Sequence, residues 1–252
     1  MIALTHLPSP NMQACERTFV PYVPIDVALA RQQHADYCQA LADCGAKVRT
    51  LDINSALPDC TFLEDTAVVL DEVAIICCMG TPSRHPEPAG IESVLREYRP
   101  IERILPPATL EGGDVLRIGR RLLVGQSSRT NTTGIAALQA VAGRFGYVVT
   151  SIPVHGSLHL KTACTALPDG RLLVNPAWVD VRSLVEFDLI QVPAEEPWGG
   201  NICLAGETVL LPATYRLTAS LISELGFAVR PVEIAEFSQA EGGVTCLSLI
   251  FE

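Results

Sequence analysis

An ionised cysteine is a good nucleophile, and the ordinary thiol needs a nearby cation or imidazolium to reach that state at neutral pH. Cys246 stands in the run EGGVTCLSL, where Gly242 and Gly243 let the backbone come close to a ligand. His159, in SLHLKT, is one of five histidines and offers an acid/base partner. Glu111, directly before Gly112 and Gly113, is the type of group that orients such an imidazole. Each has a plainer reading: a buried packing cysteine, a satisfied histidine, and a loop carboxylate at the start of a strand.

Further polar groups occupy the same relative place. Glu64 with Asp65, Glu111 with Asp114, His159, Asn201 and Cys246 follow one another at intervals of roughly 40 to 50 residues. Several carboxylates gathered at one mouth repel one another unless they hold a cation. A planar guanidinium, which pairs bidentately with carboxylates, is the natural match. A metal is the alternative, but only one histidine joins the set and no H-E-x-x-H spacing is present, so neither metal nor organic cofactor is expected.

These groups need elements that bring them together. One pattern recurs along the chain: an apolar run, a short polar or glycine turn, then a second apolar run, which is the pattern of a β-hairpin. Its copies are TAVVL-DEV-AIICC, DVLRI-GR-RLLVG, TACTAL-PDG-RLLVN and NICLA-GE-TVLLP. The C-terminal VTCLSLIF and the N-terminal MIALTHL are single runs that complete a fifth unit if the chain end pairs with the chain start. Helical spacing appears between them at 26–45, 91–98, 133–146 and 218–227, with Gly45, Gly146 and Gly226 at the expected helix ends. A lone ββαβ unit cannot bury both faces of its sheet, so the expectation is an α/β fold closed as a five-bladed propeller. A doubly wound parallel sheet would lack the hairpins.

The 252 residues fit a single domain spanning 1–252, and 48% hydrophobic against 18% charged residues is enough to fill a core. No apolar stretch is long enough to cross a membrane, and the N-terminus lacks the features of a signal peptide. Nine cysteines, an odd number scattered through apolar segments, fit a reducing cytoplasm; Cys77 and Cys78 read as strand packing. A net charge of −10 without a basic cluster argues against nucleic acid and suits a cationic small molecule.

Taken in order, FLED (62–65), EGGD (111–114), SSRTN (127–131), HLKT (159–162) and GGVTCLSL (242–249) closely resemble the motifs of the dimethylarginine dimethylaminohydrolases, within the guanidine-modifying or pentein superfamily. The resemblance covers essentially the whole chain. It implies the five-bladed α/β propeller and hydrolysis of Nω-methylated L-arginine to L-citrulline and an amine. By that resemblance Cys246 is the nucleophile that forms a covalent thiouronium and His159 the general acid and then base. Glu111 holds His159, and Glu64 with Asp65 clamps the guanidinium. Arg84 and Arg129 are similar to the family's carboxylate-binding arginines, and Asp59 matches a further polar pocket position.

Relatives in the superfamily that act on unmethylated arginine carry an aspartate two positions after the histidine, where this chain has Lys161. Losing that acceptor spares methyl groups from stranding a buried hydrogen-bonding partner, which favours a methylated substrate. The segment ACERTFVPYVPID should supply a lid, although its residues do not match the family pattern one to one. Other readings remain: a hydrolase or deiminase for another guanidine, or a propeller that binds guanidines with Cys246 inert. A homodimer is one possible assembly.

Overall fold

The computed structural model describes every residue from Met1 to Glu252. In chain order the elements are β1 (Ile2–His6), α1 (Val27–Asp43), β2 (Lys47–Leu51), β3 (Ala67–Val69), β4 (Ala74–Ile76), α2 (Glu87–Leu95) and β5 (Ile101–Arg103). They continue with β6 (Val115–Ile118), β7 (Arg121–Gln126), α3 (Thr132–Ala142), β8 (Val148–Pro153), α4 (Leu160–Ala163), β9 (Cys164–Ala166), β10 (Leu172–Val174) and β11 (Leu189–Gln191). The last are β12 (Cys203–Ala205), β13 (Thr208–Pro212), α5 (Arg216–Glu224), β14 (Ala228–Val232), α6 (Ala235–Gln239) and β15 (Ser248–Phe251).

All four predicted hairpins form, as the antiparallel pairs β3–β4, β6–β7, β9–β10 and β12–β13. The second strand of each hairpin pairs in parallel with a third strand, giving three-stranded sheets. A helix bridges three of these crossovers: α2, α3 and α5. In the remaining one a single 3-10 turn, Val181–Leu184, stands in its place. The chain ends complete the fifth sheet: β15 pairs antiparallel with β1, and β1 pairs in parallel with β2 across α1.

The middle strands are apolar on both faces because each face serves a different core. In β7, Leu122 and Val124 pack against the β3–β4–β5 unit, while Leu123 packs against the β9–β10–β11 unit. In β10, Leu172 and Val174 face the β6–β7–β8 unit, and Leu173 faces the β12–β13–β14 unit. Ala3 and Leu4 of β1 divide in the same way. The period-two alternation of a strand thus joins every unit to both neighbours, and five hydrophobic clusters close the ring. Each fully buried leucine contributes roughly 2 kcal/mol.

The helix near 91–98 begins earlier than its apolar spacing suggested, at Glu87, because Pro88 is accommodated in a first turn that needs no proline N–H. Two short helices, α4 and α6, were not anticipated, and both lie directly beside the candidate residues. No helix is long and apolar enough to cross a membrane.

Candidate active site

The segments that enter the first strand of each unit converge at the ring centre, and glycine pairs make the approach feasible. A Cβ on Gly113 would sit 2.6 Å from Asp65 Oδ1 and 2.7 Å from His159 Nδ1. One on Gly242 would sit 2.3 Å from the Phe62 ring, and one on Gly243 would sit 2.2 Å from Asn201 Oδ1. The glycines beside Glu111 and before Cys246 are therefore needed for close contact between units.

His159 is buried at the N-terminal edge of α4. Its Nε2 lies 2.7 Å from Glu111 Oε2, and its Nδ1 lies 3.8 Å from Asp65 Oδ1. Burial alone would push the imidazolium pKa down, but Asp65, Asp114 and the Glu111 hydrogen bond outweigh it and hold it up at about 9. Burial likewise acts to raise the Glu111 carboxyl, yet the hydrogen bond and charge of His159 keep it below its ordinary value. The pair is therefore an imidazolium and a carboxylate at neutral pH. Glu111 is fixed in turn by the Gly80 N–H at 2.9 Å.

Asp114 does not reach the pocket. It accepts from the Leu160 N–H at 2.9 Å and the Ser127 hydroxyl at 2.6 Å, so it holds the α4 backbone that carries His159. Burial pushes its carboxyl up to about 6, against the pull of His159.

Cys246 lines one pocket with His159, Asp65, Asp59, Arg84, Arg129, Glu16 and Glu241. Its Sγ accepts from the Gly243 N–H at 3.3 Å. Burial, followed by the nearby Glu64 and Asp65 charges, pushes the thiol well above its ordinary value. An entering cation would relieve both effects.

Of the expected Glu64–Asp65 clamp, only Asp65 lines this pocket. Glu64 is paired with Lys161 Nζ at 2.6 Å and accepts from the Thr245 hydroxyl at 2.6 Å, so its oxygens are already engaged. The pair lines a larger, mainly apolar cavity on the other side, which shares no residue with the catalytic pocket. That cavity includes no histidine, and its one cysteine, Cys203, is a thiol that burial pushes up to about 12. Asn201 plays a supporting part: its side-chain amide donates to Lys161 O and to Thr245 Oγ1, next to the nucleophile.

The two arginines differ in availability. Arg84 is buried and donates to Asp65 at 2.7 Å, to Glu87 at 2.9 Å and to Phe62 O at 3.1 Å. Arg129 makes one long contact, 3.4 Å, to Glu111. Asp59 accepts from the Glu16 N–H with both oxygens at 3.2 Å, and burial pushes its carboxyl up to about 6. Asp65, Glu111 and His159 have donor atoms within 4.8 Å of one another, as a metal site would need. The retained imidazole proton competes with that use.

Sequence spacing pointed to the converging set but not to Glu16, Glu87 or Glu241. Glu241 belongs to the EGG run already noted before Cys246, so a signal for it was present; nothing comparable marks Glu16 or Glu87.

Residues 53–197 match the family model described as arginine deiminase. The chain is 39% identical to an N(G),N(G)-dimethylarginine dimethylaminohydrolase of Streptomyces coelicolor over 98% of this chain and 95% of the relative. It is 33% identical to the protein of the same name from Pseudomonas aeruginosa, over 90% of each chain. The solved structure of a cysteine-to-serine mutant of a Pseudomonas aeruginosa enzyme of this kind, complexed with citrulline, superposes with TM-score 0.94 at 30% identity, covering 99% of this chain and 98% of that one. The N-terminal domain of an arginine dihydrolase from cyanobacteria shares the fold, with TM-score 0.86 at 21% identity.

Proposed function

The chain belongs to the dimethylarginine dimethylaminohydrolase family, and on that footing we propose that it hydrolyses Nω-methylated L-arginine to L-citrulline and dimethylamine or methylamine. The observation that carries this reading is a cysteine thiol lining the same pocket as an imidazolium tied at 2.7 Å to a buried carboxylate.

The substrate guanidinium enters beside Asp65, and its positive charge offsets the carboxylate field that keeps Cys246 protonated. The thiol loses its proton to solvent, and the thiolate attacks the guanidinium carbon. His159 delivers its proton to the departing amine as that C–N bond breaks, leaving an S-alkylthiouronium on Cys246. Now neutral, His159 takes a proton from water, whose hydroxide adds to the same carbon. Collapse breaks the C–S bond; the hydroxyl proton is lost as the ureido carbonyl of citrulline forms, and the departing thiolate takes up a proton to return to the resting thiol. Glu111 keeps the imidazole oriented through both transfers.

At the other end, Arg129 is the more available partner for the α-carboxylate, with Arg84 adding charge beneath it, and Asp59 accepts from the α-ammonium. Lys161 contributes by engaging Glu64. One acceptor is missing at position 161 and a second is already occupied, so methyl groups on the distal nitrogen leave no carboxylate unpaired.

The site asks for a small-molecule substrate and no nucleic acid. Nine unpaired cysteines support a reducing, cytoplasmic location, and a homodimer is an expectation for sedimentation to check. The deciding experiment supplies asymmetric dimethylarginine, monomethylarginine, arginine and agmatine and measures the ureido product of each, citrulline from the three amino acids, together with the released amine or ammonia. Higher kcat/KM for the methylated pair is expected. Preference for arginine or agmatine would replace this reading with a deiminase.

A further inference from the structure

Helices α1 and α5 and the turn after α3 end in one way. The residue after the cap adopts a left-handed φ, +88° at Gly45, +80° at Gly146 and +94° at Gly226. Its N–H and that of the next residue fold back onto the last turn, as in Gly45 N to Ala42 O and Ala46 N to Leu41 O. Helix α6 ends in the same motif, with Glu241 N donating to Ser238 O and Gly242 N to Phe237 O. Here the left-handed position, φ 64°, is held by a glutamate, the one non-glycine residue in the chain with positive φ. A side chain at such a position is strained, and glycine would fit without that cost.

The carboxylate of Glu241 is buried and accepts from two consecutive backbone N–H groups, Thr18 at 2.6 Å and Phe19 at 3.0 Å. These belong to the irregular segment 15–26, whose Glu16 lines the catalytic pocket. Apolar burial holds that segment only at its ends, through Cys15 and Ile25; between them Phe19 is 42% exposed, Tyr22 69% and Val23 39%. Two buried nitrogens of Arg17 have no hydrogen-bond partner. The base of the segment is tied by Gln13 to the Ile25 N–H and by Glu236 to the Asp26 N–H. Nearer the pocket its ties are Asp59 to the Glu16 N–H, Ser83 to the Glu16 carboxylate, and Glu241.

We propose that Glu241 is a positioning residue that latches segment 15–26 as a lid over the catalytic pocket. Its carboxylate acts on the lid, and its backbone closes α6 just ahead of the loop 242–246 that carries Cys246. This deepens the dimethylargininase reading and rests on it only for the kinetic part of the test.

The test compares Glu241→Gly, which relieves the backbone and deletes the carboxylate, with Glu241→Asp, which keeps a shorter one. Amide hydrogen exchange across residues 15–26 should accelerate about tenfold or more in Glu241→Gly, the equivalent of one charge-assisted hydrogen bond, and be partly restored in Glu241→Asp. With asymmetric dimethylarginine, KM should rise about tenfold in Glu241→Gly while kcat stays within about twofold, because the latch acts on binding and not on proton transfer. The melting temperature should hold or rise, since glycine suits the turn. Unchanged exchange in Glu241→Gly would overturn the latch, as would faster exchange spread over the whole chain with a lowered melting temperature. Exchange needs no turnover, so an inactive wild-type protein would sink the substrate reading and still leave the latch decided.

Discussion

Two upward shifts meet in the catalytic pocket: burial with the Glu64 and Asp65 charges keeps the Cys246 thiol protonated, and Asp65, Asp114 and Glu111 keep His159 charged against its burial. The resting site is therefore a thiol sharing its pocket with an imidazolium, and in the proposed mechanism the substrate's own charge starts the reaction. Replacing Cys246 by Ser or His159 by Asn should lower kcat roughly a thousandfold or more with the fold intact, read as citrulline formation beside circular dichroism. Because the amine leaves with the His159 proton, kcat should decline as pH rises through about 9. Glu111→Gln removes one of the three carboxylates that raise this histidine, beside Asp65 and Asp114, so the decline should begin at lower pH, with kcat down roughly a hundredfold. The same shift bears on stability. The folded state holds the proton more tightly than the unfolded chain, so this contribution is fully present below the unfolded value of 6.5 and is lost as pH rises through about 9. Denaturant titrations at the two ends of that window should differ in wild type and differ less in Glu111→Gln.

At the level of elements, a glycine pair precedes a strand in both the Glu111 and Cys246 segments, and the units meet where a side chain would not fit. Gly113→Ala is the informative substitution, because its Cβ would press on Asp65 and His159 together. Roughly 1–3 kcal/mol of stability should be lost to overpacking, with a drop in kcat from the displaced imidazole. Wild-type kinetics in this variant would mean that the contact at Gly113 relaxes without moving the site. The short helix α4 has a matching role, since Asp114 grips its Leu160 N–H and so sets where His159 stands.

For the whole molecule, closure depends on the chain ends. Strand β15 pairs with β1, and the Met1 ammonium lies 2.8 Å from the Glu252 carboxylate. Joining the termini with a short linker and opening the ring at the exposed hairpin turn 168–170 should give a permutant that folds and turns over substrate, since every core cluster is kept. Loss of the fold in that permutant would indicate that closure relies on the free ends. Truncation after Leu247 removes β15, leaves β1 without its antiparallel partner and releases the strand that anchors Cys246. An insoluble or expanded product is expected by size-exclusion chromatography.

The repeat, its five hairpins counting the one made by the chain ends, and the shared place of Glu64, Glu111, His159, Asn201 and Cys246 were all readable from residue order. Turn residues and apolar alternation are local properties, and a regular spacing of local units implies their convergence. What each converging side chain touches was decided only by contacts between residues far apart in the chain. Glu64 faces away because Lys161 and Thr245 reach it. Arg84 is occupied because Asp65 and Glu87 lie beside it, and the Glu241 carboxylate is engaged because the backbone of Thr18 and Phe19 lies against it. A charge in a low-dielectric interior is fixed by its nearest partners, and those partners are a property of the closed ring.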